Sequence, residues 1–141
     1  LTARNIAVLL VVLAAGLVFH RWSFVSAPEA PQSSSGLPMV EVTVPALSAA
    51  ETKGRTGFEA NCASCHGVNA GGLEGRGPPL VHKIYEPGHH ADAAFFLAVK
   101  NGVRSHHWRF GDMPPIPGVA DSDIGAIVAF VRALQRANGI N

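Results

Sequence analysis

The chain has 141 residues, about the size of one domain, so two large cores are excluded and anything beyond a single core is an appendage. Eleven Lys and Arg against ten Asp and Glu give a formal charge of +1, which supplies none of the clustered positive field that nucleic-acid binding by charge requires. Hydrophobic residues make up 48% and charged ones 15%, more apolar than an ordinary soluble domain, and much of that excess lies before Ser26.

Ile6 to Phe19 is fourteen residues without a polar side chain, about 21 Å as a helix. Continued through Arg21, which can snorkel, and through Trp22 and Phe24, which suit an interface, the run reaches about 30 Å, the apolar thickness of a bilayer. This predicts a single transmembrane helix in residues 1–25, anchored in membrane lipid. A cleaved secretory signal is the competing reading, because Val25-Ser26-Ala27 loosely resembles a cleavage site, although Pro28 would then follow the cut.

Residues 26–47 open with the Pro- and Ser-rich composition of a linker. The twenty residues from Ala27 to Ala46 reach at most about 66 Å. Within them Val40, Val42 and Val44 alternate with Glu41 and Thr43, the period of a short extended segment. An isolated strand is not stable in water, so this one is expected to lie along the following domain or, the favoured version, to add to a partner subunit.

Residues 48–141 read as helices joined by long loops. Ser48 and Glu51 have capping-box spacing, predicting a helix through Gly54 and Phe58 to about Asn61. Asp92 is expected to cap a second helix that Gly102 ends. Asp121 or Ser122 is expected to cap a third, in which Ile124, Ile127, Val128, Val131 and Leu134 recur at helical spacing before Asn138-Gly139. Gly/Pro-rich stretches at 75–80 and 111–118 are too irregular for strands. The fold expected is a small all-α domain whose loops need something to pack on.

Cys62-Ala63-Ser64-Cys65-His66 has the C-x-x-C-H pattern of covalent haem attachment. Two thiols one turn apart suit the two vinyl groups of one haem edge, and the adjacent His66 then reaches the iron. A zinc site would need further thiols, and the chain has only these two cysteines; a thioredoxin-like dithiol needs a βαβ setting that is absent. One covalently bound haem c, with its iron, is therefore expected. A six-coordinate electron-transfer haem needs a second axial ligand. Met113, in a stiff Gly-Asp-Met-Pro-Pro loop, is favoured over Met39, which lies in the linker, with His106 or His107 as the fallback.

These residues resemble the class I cytochromes c over about residues 48 to 139. Gly54, Phe58 and the Cys62–Gly67 stretch are similar to that family's first helix and haem turn. Gly77-Pro78-Pro79-Leu80 resembles its loop in which a proline carbonyl accepts the proton of the haem histidine, so the resemblance implies that Pro78 orients His66 and that Leu80 lies against the haem. Met113-Pro114 resembles its distal ligand loop, and Ile127 with Phe130 its last helix, crossing the first near Gly54 and Phe58. Arg76, Trp108 and Arg109 are candidates for the haem propionates. His89-His90 and His106-His107 invite a copper or zinc hypothesis, but adjacent residues point apart and nothing completes a donor set, so solvated or propionate-facing rings are expected.

The resemblance implies electron transfer rather than catalysis, and with the apolar run before Ser26 the expectation is a membrane-anchored monohaem cytochrome c, single-pass in the bacterial inner membrane with its haem domain on the periplasmic side. It would pass single electrons between membrane complexes of a respiratory or photosynthetic chain, such as a quinol-oxidising cytochrome bc complex, a dehydrogenase, an oxidase or a reaction centre. A permanent cytochrome c subunit of a membrane oxidoreductase is the alternative, and a haem enzyme or sensor with an open iron site a more distant one.

Overall fold

The computed structural model describes residues 36–141, so the expected membrane helix and the linker up to Ser35 lie outside the described residues. Ser48 closes a full capping box: its hydroxyl accepts from the Glu51 N–H, and the Glu51 carboxylate accepts from the Ser48 N–H at 2.8 Å. The helix it starts, α1, runs Ala49–Asn61, and a four-residue turn of helix, α2, follows at Ala63–His66. A 3-10 turn covers Lys83–Tyr85, α3 is Asp92–Asn101 and α4 is Asp121–Ala137. Only isolated bridges occur among the described residues, and none belongs to a named strand. No helix among them is long and apolar enough to cross a membrane.

The crossing of α1 and α4 organises the core. Phe58 and Phe130 are both fully buried, with ring centroids 5.6 Å apart, each burial stabilising by about 1.5–3 kcal/mol. Gly54 permits the approach: a Cβ there would stand 1.9 Å from the Ala126 carbonyl oxygen. Ile127, Val131 and Leu134 continue the buried stripe of α4, while Val99 of α3 packs on Ile124 and Val128.

Two helix starts differ from expectation. Asp92 and Asp121 are the first residues of α3 and α4 and not their caps; Ala91 and Ala120 hold the cap positions, without a side-chain hydrogen bond, and Ser122 lies inside α4. The aspartates instead favour the positive ends of their helices and pair across elements, Asp92 with Arg132 at 2.8 Å and Asp121 with Lys100.

The Val40–Val44 segment forms no strand, following a bend at residues 39–40, and its own domain holds it. Met39 and Val40 donate to the carbonyls of Gly72 and Gly71 at 3.3 and 3.1 Å. Thr43 exchanges two hydrogen bonds with the Asn138 side chain at 3.0 and 2.9 Å. Val42, Val44 and Leu47 pack on the core. The favoured version, addition to a partner subunit, is thus replaced by docking along the domain. Burial of three apolar side chains decides it, and the stretch from Pro38 belongs to the domain rather than to a free linker.

A polar node that the sequence reading missed sits on α4. Arg132 and Gln135 are buried. The Arg132 guanidinium donates to the Asp92 carboxylate, the carbonyls of Tyr85 and His90, and the Gln135 amide oxygen, and lies over the Phe95 ring at 4.8 Å. Gln135 in turn donates to the carbonyls of Leu80 and Tyr85 at 2.8 and 3.0 Å. A buried guanidinium is tolerable only when its donors are filled. Here that requirement fastens the irregular stretch from Leu80 to Asp92 to the core helix.

Candidate functional site

A cavity of about 320 Å³ lies between the helices, lined chiefly by apolar side chains and within the size range of cofactor sites. Cys62, His66, Pro78, Leu80, Trp108 and Met113 all line it. The fold therefore gathers six of the seven residues expected at the site into one wall, from positions spread between Cys62 and Met113. Cys65 is exposed beside it, and neither cysteine is in a disulfide.

His66 ends α2 and is buried. Its Nδ1 lies 2.8 Å from the Pro78 carbonyl oxygen; since a carbonyl can only accept, Nδ1 carries the proton and Nε2 keeps its lone pair. Burial pushes the imidazole below the ordinary histidine value, opposed by the hydrogen bond to Pro78. The ring is thus neutral with Nε2 free, the form a metal needs. The Pro78 loop is brought close by Gly77, where a Cβ would stand 2.8 Å from the Cys65 carbonyl oxygen. Burial, and secondarily the Cys65 thiol, pushes the Cys62 thiol up to about 11, so it is uncharged at neutral pH.

Met113 is held by a reciprocal backbone pair with Val103, both bonds 2.9 Å, which closes the loop between them. Inside that loop the Asp112 carboxylate accepts from the Ser105 N–H at 2.8 Å, and the Ser105 hydroxyl donates to the Trp108 carbonyl. Met39 is absent from the cavity wall, tied instead to Gly72.

Of the three candidates for an acidic edge of the bound group, Trp108 alone lines the cavity. Its indole N–H is buried and has no hydrogen-bond partner. The Tyr85 hydroxyl is near enough to feel it, but not at bonding geometry. A buried donor without an acceptor is rare in a finished structure. Arg76 lies off the cavity wall and donates to the Ser64 carbonyl at 3.3 Å, steadying the haem turn, and Arg109 is exposed away from the wall.

The histidine pairs also depart from expectation. His90, His106 and His107 line the cavity mouth, and the ring nitrogens of His89, His90 and His107 lie within 4.8 Å of one another. Adjacent rings do not point apart, the centroids of His89 and His90 lying 4.6 Å from each other and those of His106 and His107 4.2 Å, and the chain folds back to supply His107 from a second segment. Desolvation and, next, the neighbouring rings of His106, His90 and His89 hold His107 below the ordinary histidine value.

A model of the cytochrome c family matches residues 51–135, more than half of the chain, which therefore belongs to the cytochrome c family. A search of curated proteins returned no significant match. Family membership makes this a haem protein of electron transfer, carrying covalently attached haem c with its iron. The residues present fit that group: an apolar cavity, two free thiols at its rim, a buried neutral imidazole with an open lone pair, and an unpartnered buried N–H that matches an acceptor on the group's edge.

Proposed function

We propose that this chain is a membrane-anchored monohaem cytochrome c that passes single electrons between membrane-bound complexes of a respiratory or photosynthetic chain, on the periplasmic side of a bacterial inner membrane. The observation that carries the reading is the joint placement of His66, with Nε2 free, and Met113 on the wall of one apolar cavity. Cys62 and Cys65 would hold the haem through thioethers, and His66 Nε2 and the Met113 sulfur would bind its iron. Bound there, the iron supplies a one-electron couple, with a potential that a thioether ligand raises. The protein residues do the rest. Pro78 fixes the His66 tautomer, Leu80 and Phe58 keep water out, Trp108 donates its N–H to the group's edge, and Met113 closes the iron to substrate.

The apolar run before Ser26 and the near-balanced charge support the membrane part of the reading. Without long-range steering, frequent encounter with a partner requires proximity, and a tether supplies it. Because Pro38 onward packs on the domain, the stretch proposed as a tether ends before Pro38.

Two experiments test this. The ferrous protein should titrate as a one-electron couple and resist carbon monoxide; rapid binding of carbon monoxide would mean an open iron and an enzyme or sensor. A form beginning at Ser26 should keep its spectrum and potential, lose electron delivery to membranes in dilute suspension, and recover it when added in excess. Equal turnover of both forms when dilute would contradict the tether, and failure to recover at any concentration would favour a permanent subunit.

A further inference from the structure

We propose that His89, His90 and His107 form a second metal site, distinct from the haem iron, that takes a late first-row divalent cation, copper(II) most tightly. The ring nitrogens of the three residues lie within 4.8 Å of one another. A tetrahedral ion bound at 2.0–2.1 Å asks for about 3.4 Å between ligand atoms, and since His89 and His107 are exposed and His90 half-buried, rotation of two surface rings closes that difference. The rings converge from both segments: His107 stands 5.2 Å from His89 and 5.3 Å from His90, centroid to centroid.

The cluster also has the supporting shell of a metal site. His90 Nδ1 lies 2.7 Å from the Ile84 carbonyl oxygen, so it carries the proton and Nε2 is left as the ligating nitrogen, the arrangement by which proteins orient metal-binding imidazoles. The His90 carbonyl is in turn held by the buried Arg132. The opposing segment is closed by the Val103–Met113 pair. Among the described residues no hydrogen bond engages the ring of His89 or His107, and both rings pack only on the neighbouring imidazoles. His106 packs on His107, centroids 4.2 Å apart, with its Nδ1 on the Arg104 carbonyl at 2.8 Å, but it does not belong to the set whose ring nitrogens lie within 4.8 Å of one another. Three imidazoles without thiolate or carboxylate suit copper, nickel and zinc, and copper(II) stands highest in the affinity order of these ions. The fourth position faces solvent and would take water.

The test uses the untagged, full-length, haem-loaded ferric protein, stripped of other metals and titrated with Cu2+ against a competing chelator. One tight equivalent is expected, displaceable by excess Zn2+, with a paramagnetic resonance spectrum split by three nitrogens. His89→Ala and His107→Ala should each weaken binding by more than about 100-fold, since even partners one step removed from a metal are worth about 10- to 100-fold, while His106→Ala should leave it intact. An unaltered haem absorption spectrum in each variant shows that the fold is kept, and reads the haem assignment separately from this one. The proposal is overturned if the haem-loaded protein binds no Cu2+, if only the haem-free protein binds it, which would assign the rings to the haem edge, or if binding survives both alanine variants.

Discussion

On the His66 side of the cavity the ring is buried, its Nδ1 is bonded to Pro78 at 2.8 Å, and Gly77 lets that loop sit against the Cys65 backbone. On the Met113 side the backbone pair with Val103, the Ile116 N–H on the Val99 carbonyl and the Ser105 contacts to Asp112 and Trp108 hold a loop whose Arg104, His106, His107 and Arg109 are exposed. One proposed ligand is thus set by packed neighbours within about a dozen residues, the other by a loop held at fewer points. The first wall should resist change and, when broken, damage the whole site. The second should yield locally, with ligand exchange at the iron as its signature.

The sharpest way to break the first wall is Gly77→Val. The added carbons meet Cys65 backbone rather than a flexible side chain, so a cost at or above the upper end of about 1–3 kcal/mol for overpacking is expected, measured by denaturant unfolding of the ferric protein together with haem incorporation. An unfolding midpoint equal to that of the parent protein would mean the loop is not locked against the haem turn.

Met113→His replaces the proposed ligand of the second wall. The reduction potential should fall by on the order of 0.1–0.2 V, within the about 0.8 V that axial ligands command, with little change in unfolding. A potential unmoved in redox titration would place the ligand elsewhere.

Asp112→Ala removes only the acceptor for the Ser105 N–H. It should cost about 0.5–1.5 kcal/mol and speed cyanide binding to the ferric iron, while leaving the His66 side unchanged. Equal cyanide rates in variant and parent would show that this contact does not govern the loop.

The smallest effect lies outside both walls. Glu51 is held below its ordinary value of 4.5 by the Ser48 N–H, then by the Ser48 hydroxyl and Arg136. Its folded value is below its unfolded one, so it stabilises the fold at neutral pH and loses that contribution as pH falls from about 4.5 through the folded value. Glu51→Gln should therefore lower stability at neutral pH and flatten the acid limb of the stability curve. A curve parallel to that of the parent protein would contradict it.

The His66 wall was also the more legible in sequence. Its parts are close in the chain, and Cys62, Cys65 and His66 need each other at fixed spacing; likewise α1 and α4 followed from a cap and a period of apolar residues. What escaped depends on long-range closure. Arg132 and Gln135 stand beside the apolar stripe of α4, where a charge ordinarily reads as a solvated edge, and nothing local shows that the carbonyls of Tyr85 and His90 arrive there to be bonded. The convergence of His107 on His89 and His90 required knowing how the Val103–Met113 loop folds back. Asp92 and Asp121 had the right residue type at a helix start, but a cap depends on one residue's placement, and both fell one position inside.

The most direct measurement is the sulfur-to-iron charge-transfer band of the ferric, haem-loaded protein, read by near-infrared magnetic circular dichroism beside the Met113→His variant. If His66 and Met113 close the iron from opposite faces, the band is present in the parent protein and gone in the variant, which shows a pair of imidazoles instead. A parent protein without the band, or a variant that keeps it, would contradict the account.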